Sequence, residues 1–136
     1  MKDIFDVVNY IKQNYNLYSN CFIVNRDLFI ILNSLGYEHV EIDLKKEKVE
    51  NITHYSSIFK KDNKSYIVDL TYFEFFTDYY TFDGGDEMPN FKNFYTNEEL
   101  SILNEIITTG LIEYTPYNME LYLKGFKMAS KSRSFK

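Results

Sequence analysis

Two β-rich runs, residues 52–59 and 65–71, lie on either side of Lys60-Lys61-Asp62-Asn63. Such runs separated by a short polar, turn-forming stretch read as an antiparallel hairpin. A hairpin cannot stand alone in water, so helices or further strands must cover it. If residues 60–63 form the loop, Phe59 pairs with Lys64 and His54 falls opposite Asp69. Opposed residues share a face with Cβ atoms about 5 Å apart. That face reads Ile52, His54, Ser56 and Ile58 against Thr71, Asp69, Ile67 and Ser65. A two-residue turn keeps His54 and Asp69 on one face diagonally. An odd-length loop without a bulge separates them. Strand propensity disfavours Asp69, so its place in a β-rich run asks for a partner.

The segments around the hairpin are helical. Residues 2–15 carry Ile4, Val8, Ile11 and Tyr15 on one stripe. From Cys21 to Leu35 the apolar positions Phe22, Leu28, Phe29, Leu32 and Leu35 keep helical spacing. Ser19 or Asn20 serves as N-cap and Gly36 as the stop. Residues 39–45 alternate, with Val40, Ile42 and Leu44 expected inward and Asp43 outward. Residues 46–51 are a charged turn. Thr96-Asn-Glu-Glu99 has capping-box form for a helix running to Thr109 and stopping at Gly110. Residues 111–114 read as a short strand. Thr115 caps a last helix that opens on Pro116 and runs to about Lys127, with a frayed tail over 130–136. The expected fold class is α+β: N-terminal helices on an antiparallel sheet of at least three strands, then C-terminal helices, as one domain over 1–136.

Composition bounds the partners. A net charge of −5 argues against a general nucleic-acid binder, which needs a basic patch. The single cysteine permits no internal disulfide, consistent with a reducing cytosol. The start, Met1-Lys-Asp-Ile-Phe-Asp6, has acids where a signal peptide has an apolar run. No stretch reaches the roughly 18 apolar residues of a membrane span. The localisation expected is cytoplasmic, or export by a route that needs no signal peptide. No cofactor is expected. One Cys and two separated His give no ligand spacing for a metal.

Cys21 carries the chemistry. A thiol in the first turn of a helix feels the positive end of the macrodipole, which favours thiolate. Taken alone, such a cysteine is more often a small buried residue. With His54 and Asp69 on one face of the hairpin, a nucleophile, a base and an orienting acid are available to one site. His39 has the right chemistry but follows the helix stop and is assigned to the surface. Asp83-Gly-Gly-Asp-Glu87 lacks the spacing of a calcium loop and reads as an acidic turn. The Phe and Tyr cluster over 72–80 reads as core and cover, within a loop-rich excursion to residue 96.

Ser19-Asn-Cys21 opening a helix, Ile52-Thr-His-Tyr55, and Tyr66-Ile-Val-Asp-Leu-Thr-Tyr-Phe-Glu-Phe-Phe76 occur in that order. The set resembles the transglutaminase-like branch of the papain-like cysteine-protease superfamily. Gly110-Leu-Ile-Glu-Tyr-Thr-Pro-Tyr-Asn-Met-Glu-Leu-Tyr122 is similar to a closing segment of some members. Phe22 stands where a Trp often follows the cysteine, Leu70 where Pro is common, and Glu74 where Gln is common. The resemblance implies acyl transfer on a protein substrate through a thioester, with Cys21, His54 and Asp69 as the triad. Members include peptidases, glutamine deamidases, transglutaminases and arylamine N-acetyltransferases, and the small size leans toward bacterial toxin and effector members. The oxyanion is assigned to the Cys21 backbone N–H with the side chain of Asn20 or Asn16. The alternative function is a non-catalytic module whose aromatic excursion binds other proteins.

Overall fold

The computed structural model describes residues 1–76 and 94–134. The expected acidic turn at 83–87, and most of the aromatic excursion, lie outside the described residues. The chain is α+β, with four helices and a four-stranded antiparallel sheet among the described residues. The helices are α1 (Ile4–Asn14), α2 (Cys21–Ser34), α3 (Asn97–Thr109) and α4 (Pro116–Ser134). The strands are β1 (Glu38–Glu41), β2 (Ser57–Lys61), β3 (Lys64–Val68) and β4 (Leu111–Glu113), ordered β1-β2-β3-β4. A 3-10 turn, Tyr72–Phe76, follows β3. Among the described residues no helix is long and apolar enough to cross a membrane.

The hairpin turn is shorter than the four-residue loop expected. Lys61 pairs with Lys64, and Asp62 and Asn63 alone make the turn, with φ of 54° and 65°. Asp and Asn tolerate this left-handed region, and the resulting twist suits a two-residue hairpin. The register therefore follows the diagonal alternative. Ser57 pairs with Val68 and Ile58 with Ile67. Residues 52–55 leave the ladder and Ser56 keeps only a bond from the Ile42 N–H to its carbonyl, so the first β-rich run begins five residues later than its sequence suggests. β1 is also short. Val40, expected inward, is 62% exposed, and Ile42 and Leu44 reach the core only after the strand has ended.

Helices cover both faces of the sheet. Ile4, Val7, Val8 and Ile11 of α1, with Val24, Leu28 and Leu32 of α2, pack against Phe59, Val68 and Leu111. On the other face, Leu103 and Ile106 of α3 and Leu121, Tyr122 and Phe126 of α4 meet Ile67 and Ile112. Phe22 and Phe29, expected on the buried stripe of α2, are exposed. The Thr96–Glu99 capping box and the Gly110 stop form as the sequence suggests. Lys12 crosses to the last carbonyls of α3, at Thr108 and Thr109, where a cation meets the negative end of the helix. α4 continues to Ser134, past its expected end near Lys127. Met, Ala, Lys and Arg in that stretch are good helix formers.

Two glycines fix how α3 and α4 meet the end of β3. Gly110 has φ +74°, and a Cβ there would stand 2.9 Å from Leu70 Cα. Its carbonyl accepts the Asp69 N–H at 2.8 Å. At Gly125 a Cβ would stand 2.0 Å from the Tyr72 hydroxyl. That hydroxyl donates to the Tyr122 carbonyl at 2.8 Å. Both close approaches secure the backbone on either side of Asp69 and Tyr122.

Candidate active site

Cys21 is the first residue of α2 and is partly exposed. The backbone before it turns sharply, with Ser19 at φ 53°. Asn20 is the N-cap residue, but its side chain makes no cap hydrogen bond. Its amide donates instead to the Asn16 carbonyl at 2.7 Å, and the Asn16 side-chain oxygen accepts from the Tyr18 N–H at 3.2 Å. These bonds brace the 16–20 loop, and they leave the N–H groups of the first turn of α2 as the donors beside the sulfur. The two side chains assigned to the oxyanion, Asn20 and Asn16, are thus engaged within this loop.

Glu74 supplies a brace that sequence reasoning missed. Buried in the 3-10 turn, it accepts the Ser19 N–H at 2.5 Å. The residue 55 positions downstream thus holds the strained loop that presents the thiol. A buried carboxylate in an aromatic stretch was the available signal, because burying one without a donor is costly.

His54 lies in the irregular 52–56 segment, its side chain 3% exposed. Its ring meets Phe75 edge-on at 5.0 Å and Phe126 at 5.3 Å. Nε2 is 2.7 Å from Asp69 Oδ2, and Cys21 lies near enough to act on the charge of the ring. With Nε2 taken by Asp69, Nδ1 is the nitrogen left for the sulfur. The body of α2 packs on the Phe59–Val68 face, whereas His54 belongs to the α3–α4 side. The thiol and the imidazole come near one another at the end of the sheet, where residues 52–55 have left the ladder.

Asp69 is 2% exposed and has four donors. Oδ1 accepts the Thr71 N–H at 3.2 Å and the Thr71 hydroxyl at 3.3 Å. Oδ2 accepts from His54 and from the Tyr122 hydroxyl, the latter also at 2.7 Å. These donors replace the water that the buried carboxylate has lost. Tyr122, too, was missed as a site residue, although it ends the closing segment at 110–122.

The electrostatics follow from these contacts. Burial works against a charged imidazole, but the Asp69 charge and hydrogen bond outweigh it, aided by Cys21, and lift the His54 pKa from 6.5 to about 9. Burial likewise opposes thiolate at Cys21. The His54 hydrogen bond and charge, with a hydrogen bond from the Tyr55 backbone, outweigh it and lower the thiol pKa. The two groups favour a thiolate–imidazolium pair and titrate as a coupled unit.

His39 is not a surface residue. It is half-buried between Phe29 and Phe59, with Nε2 2.7 Å from Ser57 Oγ, which donates to Asn25 Oδ1 at 3.0 Å. This separate network ties β1 and β2 to α2 and lowers the His39 pKa through burial. Beside His54, residues 41–45 and 52–55 line an open cleft of about 530 Å³. Among the described residues no group of three or more His, Cys, Asp or Glu side chains is gathered to hold a metal. Comparison with family models, curated proteins and solved structures finds no match.

Proposed function

We propose that the chain is a thiol-dependent acyl-transfer enzyme of papain-like, transglutaminase-like architecture, acting on amides of a protein substrate. The observation that carries this is the buried His54–Asp69 pair, backed by a fully hydrogen-bonded carboxylate, with the Cys21 thiol acting on the same imidazole from the start of α2. A buried histidine kept only for packing has no need of a carboxylate behind it and a helix-terminal thiol in front.

Cys21 Sγ attacks the amide carbonyl carbon, and the oxyanion is met by the N–H groups opening α2. The C–N bond then breaks. His54 gives its proton to the departing nitrogen, leaving a thioester. Water or an amine, losing a proton to His54, attacks the thioester and releases the thiol. Asp69 fixes the imidazole orientation and stabilises its charged form throughout. The cleft beside His54 offers room for the incoming group.

A glutamine side chain projects its amide, so a site with few groove-forming segments can reach it. Deamidation or transamidation is therefore placed ahead of backbone cleavage. Incubation with a bacterial or host proteome, read by mass spectrometry with methylamine present, tests this. Gln converted to Glu indicates deamidation, methylamine joined to Gln indicates transamidation, and new termini indicate proteolysis. Cys21→Ala and His54→Ala abolish the product. A product that survives Cys21→Ala ends the proposal.

A further inference from the structure

Tyr122 is wholly buried on α4, yet its hydroxyl is turned away from the surrounding rings and into the polar end of the site. It donates to Asp69 Oδ2, the oxygen that His54 uses. A phenol has one proton, so the short contact between Ser56 Oγ and the Tyr122 oxygen, at 2.5 Å, is donated by Ser56. Ser56 is itself buried. The donors run in one direction: Ser56 to Tyr122, Tyr122 to Asp69. Each donor polarises the next. Tyr72 holds the backbone of Tyr122 through its carbonyl, and the missing Cβ at Gly125 lets it approach.

We infer that Tyr122, backed by Ser56, is a positioning residue that sets the charge and aim of Asp69 toward His54. The inference rests on the acyl-transfer proposal and assigns a further part of the same site. With two donors on Oδ1 from Thr71, a carboxylate could still rotate about its own bond; the phenol pins Oδ2 on the line to His54 Nε2. Its O–H dipole also offsets part of the carboxylate charge that the imidazole feels. The titratable groups facing Asp69 and His54 are Cys21 from α2, Tyr122 from α4 and Tyr72 from the 3-10 turn. Both tyrosines are held neutral, because burial pushes their pKa values well above 10. The Tyr122 dipole is thus a fixed feature across the working pH range.

The test follows iodoacetamide alkylation of Cys21 against pH. In the wild type, one step marks formation of the thiolate–imidazolium pair, and a second, alkaline step marks loss of the His54 proton. Tyr122→Phe keeps the ring and removes the dipole, so His54 holds its proton more tightly. The alkaline step should move up by about half a pH unit. Ser56→Ala, which weakens the phenol as a donor without trimming the core, should move it the same way by less, and it carries the test if Tyr122→Phe does not fold. Ile106→Val, an apolar trim on α3, should lower stability and leave both steps in place. A wild type lacking both steps ends the acyl-transfer proposal and this inference together. A wild type with both steps, whose alkaline step is unmoved in the folded variants, overturns the role of Tyr122 alone.

Discussion

His54 Nε2 lies 2.7 Å from Asp69 Oδ2 although neither residue belongs to a strand. The hairpin aims both side chains, then releases them: β2 begins after His54 and β3 ends before Asp69. With His54 outside the strands, the two close to a hydrogen bond that a diagonal pair in a regular sheet would not make.

This buried pair should bear on stability as well as chemistry. His54→Ala leaves a buried carboxylate with its Thr71 and Tyr122 donors but no cation. Removing one partner of a buried ion pair costs about 3 kcal/mol or more. A urea melt at pH 7 showing no loss would contradict the pairing.

The pair also sets a pH dependence. The His54 pKa is raised on folding, from 6.5 to about 9. The folded state therefore binds a proton that the unfolded state releases as pH rises above 6.5. The contribution to stability is complete below that value and disappears as pH passes about 9. Cys21, with its lowered pKa, acts in the opposite sense. Cys21→Ser removes that counterweight, so its melting temperature should fall between pH 6.5 and 9 more steeply than the wild type's. Equal slopes would show that the thiol and the imidazole are not coupled.

Glu74 makes a separable claim. Glu74→Ala removes the acceptor of the Ser19 N–H and should cost about 1–2 kcal/mol. It should also slow Cys21 alkylation, because the loop before α2 loses its brace. Glu74→Gln keeps an oxygen acceptor and should restore most of the rate. Equal rates in the alanine and glutamine variants would remove Glu74 from the support of the thiol.

Gly125→Ala drives a methyl group into the Tyr72 hydroxyl. The helix and the 3-10 turn must part, at a cost of about 1–3 kcal/mol. Chemical denaturation measures this, and an unchanged midpoint would show that α4 sits further from Tyr72.

Local signals were legible where one residue type does one job. The capping box at Thr96 and Glu99 and the stop at Gly110 are each decided within a turn of helix. The faces of the hairpin were legible too, because side chains alternate whatever even-numbered turn joins the strands. The loop length was not: Lys60-Lys61 and Asp62-Asn63 are equally polar, and only the left-handed backbone at Asp62 and Asn63 separates them. The run 52–56 reads as strand because Ile52, Thr53 and Tyr55 have strand propensity, yet it lies beyond the ladder, where Ile52 joins the core. Glu74 and Tyr122 reach the site from 55 and 53 positions away, to Ser19 and Asp69. Spacing along the chain carries no trace of such contacts.

The central claim is that Cys21 stands as a thiolate against a charged His54, and the rate of iodoacetamide alkylation of the folded wild type across pH tests it most directly. The expected profile has a fast limb well below the free-thiol value of about 8.5 and a second step near 9. His54→Ala should abolish the fast limb. A single slow rise near the free-thiol value, unchanged by His54→Ala, would mean an ordinary cysteine at a helix start and would contradict the account.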